Sequence, residues 1–482
     1  MSSPFDEAKY NALLKGLEIT EVKWSYVKSQ SDVVRFDSYY YSKEFLSDED
    51  IIAHQSNKSL KELNADLLSF GAYSLNNFVE YKDSGIPFIR GVNMKDGVLD
   101  FSDTLYIDET AHKLLWKSEV KPNTILLSMS GTIGDVAIAM PDYKYPMNSN
   151  QDIAKITLKD GLNPFYLYAF LRSKYGQNFL KREARGSVQQ HVFLSQMENI
   201  RVPLLTDDFQ QKIESLVKSA HAKLADSKSI YAQAEDMLLS ELGLKDWQPK
   251  NESVSVKKFS DFTASNRLDA EYYQRKYDEI ENAIKAYKGG YFTLRDCVKS
   301  YSTGYPFDSK SYVEDGYKLI RITNIKSPYL DLSNAVSIPQ KDVMLSPRDV
   351  VNENDILISM SGTIGNSCVI PAKTKAVINQ RILKITPKNY NPMVLSLLIN
   401  SILCKMLFER IGTGGVQVNI SSTDMFKILI PILPQKIHEQ IAAKIQKSFA
   451  LRAESKRLLE EAKKMVETEI EQGKDAVKQG NK

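Results

Sequence analysis

The chain has 482 residues, 43% of them hydrophobic and 26% charged; at ~100–200 residues per domain it can form two or three globular cores, which excludes wholesale disorder. Cys297, Cys368 and Cys404 are its only cysteines, and their wide scatter suits neither a zinc site nor a disulfide framework but fits a reducing cytoplasm. The net charge of +3 divides into −3 over residues 1–205, −2 over 206–245, +5 over 246–433 and +3 over 434–482; a phosphate-gripping face is allowed in the second half and needs segregated basic residues in the first.

The N-terminal MSSPFDEAKY lacks the basic-then-apolar pattern of a signal peptide. No run of about 18 apolar residues follows it, so no membrane span is expected. Arg35-Phe36-Asp37, followed by Tyr40-Tyr41, opens the first globular stretch. The arginine and aspartate read as an internal bracing pair, and the tyrosines as core or partner-facing. Phe88-Ile89 is strand-like and leads into Arg90 and Asn93. Ile125–Ser128 is a short apolar run that reads as a buried strand. Gly131 and Gly134 then make a tight turn into a second strand, Val136–Ala139, closed by Pro141. Ile153–Leu158 alternates as a further strand. Asn163 caps a helix, Phe165–Arg182, with Pro164 at its first position. Arg185 and the loop Gly186-Ser187-Val188-Gln189 follow, then Val202-Pro203-Leu204.

From Phe209 to Leu242 there is no proline, and Ile213, Val217, Ala220, Leu224, Ser227, Tyr231, Ala234 and Leu238 recur at spacings of four and three. That is a heptad seam with one polar position, Ser227. A second such helix runs from Gln435 to about Gln472. Its stripe starts at Ile437, Ile441 and Ile445 and continues in seven-residue steps through Leu451, Leu458 and Met465. At 1.5 Å per residue each helix is about 50–57 Å long.

Self-comparison shows why two such helices occur. Leu127–Gly134 recurs as Ile358–Gly365, identical at seven of eight positions and offset by 231. Arg267-Leu268-Asp269 with Tyr272-Tyr273 repeats the opening motif. Leu319-Ile320-Arg321 with Asn324, Asn379-Gln380, Gly414-Gly415-Val416-Gln417 and Ile430-Pro431-Ile432 match their counterparts in the same order. Strands at Asp355–Ser359, Cys368–Ile370 and Ile382–Ile385, and a helix opened by Asn391-Pro392, are expected in the second copy. The period is too long for a solenoid and indicates two whole mixed α/β domains duplicated head to tail. Residues 94–120 and 326–350 share almost nothing, as expected of one scaffold carrying unlike loops.

The doubled, ordered set (Arg-x-Asp-x-x-Tyr-Tyr, Ser-x-Ser-Gly-Thr-Ile-Gly, Gly-x-x-Gln, Ile/Val-Pro, then a Gln-Lys-Ile helix) resembles the specificity subunits of type I restriction–modification enzymes, over residues ~31–470. The resemblance implies an α/β chain with two target-recognition domains, residues 1–205 and 246–433, separated by antiparallel coiled-coil-like helices at 206–245 and 434–482. It implies recognition of an asymmetric bipartite site in double-stranded DNA, with the helices setting the gap between half-sites. It implies two modification subunits and translocating restriction subunits as partners, with S-adenosylmethionine, ATP and Mg on those partners and no catalysis by this chain. Two other readings stay open: a self-sufficient DNA methyltransferase or nuclease, and a scaffold or inhibitor of modification subunits that binds no DNA.

The candidate DNA contacts fall into three groups. Ser130, Thr132, Ser361 and Thr363 on the Ser-Gly turns can donate to phosphates, although identity between the copies suits scaffold more than readout. Arg185, Gln189, Gln190 and His191, with Arg410, Gln417 and Asn419 in the second copy, are partly matched and partly divergent, as a common dock with variable readout requires. Arg90, Asn93, Arg321 and Asn324 can hold a phosphate or a base. Asn163-Pro164-Phe165-Tyr166 resembles an amino-methyltransferase motif but lacks its second proline, and Asn391-Pro392-Met393-Val394 has lost the aromatic, so a helix cap is the better reading. The sequence has neither a nucleotide phosphate loop nor a Gly-x-Gly-x-x-Gly fingerprint, and its five histidines form no pair at ligand spacing.

Overall fold

The computed structural model describes the chain except residues 1–5, 15–16, 18, 30–33, 71–78, 160, 187–189, 249–253, 266, 414–417 and 481–482. It divides into two units, residues 1–224 with 452–482, and residues 225–451.

In unit 1, Ile125–Ser128 is buried at every position. It is an inner strand of a four-stranded antiparallel sheet, ordered Asp66–Leu68, Ile153–Thr157, Ile125–Ser128, Val136–Ile138. A strand covered on both faces has no polar side to show, which is why its sequence is a run rather than an alternation. A second sheet is ordered Leu105–Ile107, Ile86–Ile89, Met147–Ser149, Glu119–Val120, and pairs Ile86–Ile89 parallel to Met147–Ser149. Unit 2 repeats both. Its antiparallel sheet is ordered Val298–Ser302, Ile382–Pro387, Ile356–Ser359, Ser367–Val369, and its second sheet pairs Tyr317–Ile320 parallel to Ala376–Ile378. Even the register is kept, with Leu126 opposite Lys155 and Leu357 opposite Lys384. The duplicated mixed α/β architecture predicted from the sequence is the one observed.

The predicted helix Phe165–Arg182 is instead two, Pro164–Arg172 and Lys174–Glu183. Asn163 caps the first by accepting from the N–H groups of Phe165 and Tyr166, at 2.9 and 3.4 Å. The break falls at Ser173, whose hydroxyl donates to the Phe170 carbonyl at 2.6 Å and whose backbone is extended. Serine satisfies helix-end groups locally, so it terminates a helix at little cost. Unit 2 breaks the same way at Ser401, whose hydroxyl donates to the Leu398 carbonyl. Among the described residues no single helix is long and apolar enough to cross a membrane; Pro392–Asn400 and Ile402–Ile411 would qualify only together, and they are bent by 62° and supply buried core side chains.

The two long helices, Asp207–Glu241 and Gln435–Gly480, are built into the cores. In unit 1, Ile213, Val217 and Ala220 share one cluster with Leu458, Leu459, Ala462, Val466 and Ile470. In unit 2, Ala234 and Leu238 share one with Ile441, Ala442 and Ile445. The predicted seven-residue steps through Leu451, Leu458 and Met465 are not the buried stripe, since Leu451 and Met465 are only half-buried. Burial follows Leu459, Ala462, Val466 and Ile470 instead, the drift expected where the helix keeps 3.6 residues per turn. Ser227, the polar position of the first seam, is buried in unit 2 against Ser448. Each hydroxyl donates to the other residue's carbonyl at 2.8 Å, so the interruption is hydrogen-bonded on both sides.

Candidate nucleic-acid interface

Each unit opens with the predicted arginine–aspartate brace. Arg35 pairs with Asp37 at 2.8 Å, and Arg267 pairs with Asp269 at 2.5 Å. Each guanidinium also reaches the far end of the domain, Arg35 at the Arg182 carbonyl and Arg267 at the Gly412 carbonyl. The neighbouring Tyr40, Tyr41 and Tyr273 are buried.

The Ser-Gly turn is brought against the residues that flank the Gly-x-x-Gln segment. In unit 1 the loop is closed by Arg185 and His191, which exchange backbone hydrogen bonds at 2.9 and 2.7 Å. The Val192 N–H then donates to the Met129 carbonyl at 3.0 Å, and Ser130 bridges to His191. In unit 2, Thr413 and Asn419 close the loop, Ile420 N–H donates to the Met360 carbonyl at 3.0 Å, and Ser361 bridges to Asn419. The turn glycines have separate duties. Gly134 and Gly365 have positive φ, and a Cβ on either would lie within 2.6 Å of Gln177 or Phe408; Gly131 and Gly362 also have positive φ but face open space. They are needed for the turn alone.

Behind the turn the chain runs on to the parallel strand pair. Asn150 N–H donates to the Ile89 carbonyl, and Asn379 N–H to the Ile320 carbonyl, each at 2.8 Å. This sets Arg90 beside Asn150 and Arg321 beside Asn379. In unit 1 the Asp152 carboxylate joins the pieces by accepting from Ser130 Oγ at 2.7 Å and Asn150 Nδ2 at 3.2 Å. The result is a continuous polar row: Arg90, Asn150, Asp152, Ser130, His191, Arg185. Its counterpart in unit 2 is Arg321, Asn379, Arg381, Ser361, Asn419, Thr413. Beneath the first row lies Lys155, 2% exposed, whose Nζ donates to Ser149 Oγ at 3.0 Å. Burial pulls its pKa down to about 7.

Nine buried side-chain nitrogen or oxygen atoms lack a hydrogen-bond partner among the described residues. Six of them belong to these two rows: Arg90 Nε, Asn150 Oδ1 and Arg185 Nε in unit 1, and Arg321 Nε, Ser361 Oγ and Asn379 Oδ1 in unit 2. An unmade buried hydrogen bond costs about 1–3 kcal/mol. Four of the six fall at equivalent places in the two copies, Arg90 with Arg321 and Asn150 with Asn379, so the same local polar arrangement recurs in both units.

The remaining candidates divide. Thr132, Thr363 and Gln190 are exposed beside the rows; within them Asn419 is exposed, and His191 is half-buried with its ring 4.6 Å from that of Phe193. Gln189 and Gln417 lie outside the described residues. Asn93 and Asn324 are corrected from readers to braces. They are 1% and 5% exposed, each side-chain oxygen accepts the N–H of Arg90 or Arg321, and each amide donates to a carbonyl of its own loop, Asp100 or Asp331.

Arg410 is corrected likewise. Its guanidinium binds Glu281 at 2.7 Å and Asp278 at 3.1 Å, as Arg182 binds Glu49 at 2.8 Å in unit 1. The residue structurally matched to Arg185 is Thr413. Arg410→Ala is expected to destabilise unit 2 by roughly 2 kcal/mol in chemical denaturation, because two half-buried carboxylates lose their shared cation and keep only Lys257 and Lys285 among the described residues, with base preference unchanged. Unaltered stability with relaxed preference would reverse this assignment. Sequence reasoning missed Asp152 and Arg381, although a signal was present: the Asn-Gln pair that matches between the copies is followed by opposite charges. Among the described residues no group of three His, Cys, Asp or Glu side chains is placed to hold a metal ion.

The sequence matches the family described as "Type I restriction modification DNA specificity domain" over residues 66–235 and 290–464. Among curated proteins it is 24% identical to the type I restriction enzyme MjaIX specificity subunit of Methanocaldococcus jannaschii, covering 68% of this chain and 71% of that one. It is 22% identical to the putative MjaX specificity subunit of the same organism, covering 82% and 88%. Among solved structures it aligns with a type I restriction–modification S subunit from M. genitalium at 14% identity and TM-score 0.35, covering 88% of this chain and 94% of that one. It also aligns with the HsdS subunit of Thermoanaerobacter tengcongensis at 13% identity and TM-score 0.28, covering 87% and 96%.

Proposed function

The chain belongs to the type I restriction–modification DNA specificity family, and from that premise we propose that it reads a bipartite sequence in double-stranded DNA, one half-site per unit, for partner subunits that carry the chemistry. The observation that carries this reading is the pair of equivalent polar rows, which present Arg185 and His191, half-buried, in one unit and Arg381 and Asn419, exposed, in the other. Base edges in the major groove present the complementary pattern of donors and acceptors. The rows share Arg90/Arg321, Asn150/Asn379 and Ser130/Ser361 but differ at Asp152/Arg381, Arg185/Thr413 and His191/Asn419. Shared groups suit a common way of docking on the duplex, and differing groups suit unlike half-sites. In this reading the chain is not an enzyme. Two modification subunits and the restriction subunits hold S-adenosylmethionine, ATP and Mg, and the long helices set the number of bases between half-sites.

The test is a methylation map of DNA modified by the complex assembled on this chain, expected to show one asymmetric interrupted motif. Removing one heptad from each long helix shortens it by about 10 Å, close to three base pairs at about 3.4 Å each. The mapped motif is then expected to keep both half-sites and change its spacer. Altered half-sites with an unchanged spacer would defeat the ruler, and methyl transfer by the purified chain alone would defeat the non-catalytic assignment.

A further inference from the structure

The two rows differ most sharply at one place. Asp152 and Arg381 hold the same backbone position: each carbonyl accepts the N–H of the residue before the turn serine, Met129 at 2.7 Å and Met360 at 3.0 Å. Each is followed by an isoleucine in the same register, Ile153 opposite Ser128 and Ile382 opposite Ser359. What differs is the charge and the backbone, since Arg381 is in the left-handed region and Asp152 is not. In unit 1 the carboxylate is tied into the row through Ser130 and Asn150. In unit 2 the corresponding Ser361 Oγ and Asn379 Oδ1 are buried without partners among the described residues, and Arg381 is exposed. No ion pair or hydrogen bond of its side chain occurs among the described residues.

Arg381 also has φ +66, a left-handed conformation that a long side chain such as arginine disfavours. Its side chain therefore gains nothing visible inside its own unit to offset that conformation. Arginine offers two parallel donors in a rigid fork, which match O6 and N7 of guanine in the major groove. A carboxylate is the reverse, an acceptor for the N4 amino group of cytosine. Resting on the DNA-reading function above, we propose that position 152/381 determines base specificity in each unit, with Arg381 reading a guanine in one half-site and Asp152 a cytosine in the other.

The probe is a randomised library of DNA duplexes, offered to the full-length chain alone and co-expressed with its modification subunit, with bound duplexes sequenced. The wild-type chain is expected to select an interrupted motif with a guanine in one half and a cytosine in the other. Arg381→Asn keeps a residue tolerant of the left-handed backbone. It is expected to lower preference for that one guanine by about 10- to 100-fold and leave every other position intact. Arg381→Lys keeps the charge and is expected to lose the same preference. Asp152→Asn is expected to relax one position in the other half-site only. All three variants are expected to melt with the wild-type chain. If Arg381→Asn weakens binding to all duplexes equally with every preference intact, Arg381 is a phosphate clamp and the proposal is overturned. If the wild-type chain selects no sequence in either preparation, the DNA-reading function itself is overturned, and this proposal with it.

Discussion

A chain ended after Leu451 is expected to lose its first unit and keep its second. The removed segment is at the far C-terminus, yet it supplies Leu458, Leu459, Ala462, Val466 and Ile470 to the core of unit 1. At about 1.5–3 kcal/mol for each aliphatic side chain taken out of water, these side chains contribute roughly 10 kcal/mol, comparable to the whole net stability of a domain. Polar ties go with them. Gln55 Nε2 donates to the Ile470 carbonyl at 2.7 Å, the Lys174 N–H donates to Glu467 at 2.7 Å, and Arg172 pairs with Glu460 at 3.5 Å. Unit 2 keeps every residue assigned to it, including Ile441, Ala442 and Ile445. Hydrogen exchange read by mass spectrometry is the measurement. Amides of Ile125–Ser128 and Ile153–Thr157 are expected to lose protection, and those of Ile356–Ser359 and Ile382–Pro387 to retain it. Equal loss in both sheets, or none in either, would contradict the assignment of the C-terminal helix to unit 1.

Lys155→Met is expected to stabilise unit 1 by about 2–4 kcal/mol near pH 7, with the gain shrinking as the pH rises. The ammonium is buried and has no carboxylate partner among the described residues. Burial takes its pKa from 10.5 to about 7, and a tenfold change in a proton-binding constant is worth about 1.36 kcal/mol. Between those two values the unfolded chain holds the proton and the folded chain does not. Unfolding therefore takes up a proton, and stability rises with pH across this window. Below pH 7 both states are charged and the full penalty remains; above 10.5 both are neutral and it is gone. Loss of the hydrogen bond to Ser149 Oγ offsets roughly 1 kcal/mol of the gain. Denaturant titrations of both proteins at pH 7 and pH 9.5 test this, and a difference independent of pH would refute it. Lys384, its counterpart, also has its pKa lowered by burial. Its Nζ, however, donates to the Arg348 and Val350 carbonyls at 2.6 Å each and lies 3.8 Å from the Asp355 carboxylate. The same substitution there would strand two carbonyls.

Much of the fold is legible because the duplication offers each motif twice. Ile125–Ser128 can be read to the residue, since apolar runs and turn glycines are local signals. The helix breaks at Ser173 and Ser401 cannot, because a serine inside an apolar stretch is equally a tolerated helix residue. What ends the helix is its hydroxyl turning back to the carbonyl three residues earlier. The row is legible only in pieces. Spacing does not show that the loop closing at His191 lies against the turn at Ser130, because that pairing is made in space. Asn93 resembles a reader until its partners are known, and they are backbone groups of its own loop. Arg410 resembles a free cation because Asp278 and Glu281 lie more than 120 residues away in sequence.

The first unit is made from both ends of the chain, and this inverts the order of its synthesis. Domains generally fold as they emerge from the ribosome, N-terminal first, at about 5–20 residues per second. Here about 230 residues separate Leu224 from the first core residue of the returning helix, a delay of roughly 10–50 s at that rate. The second unit has all of its residues before the first does. Throughout that interval the nascent chain carries Ile213, Val217 and Ala220 without the helix that covers them, so the earliest-translated unit is the last to close.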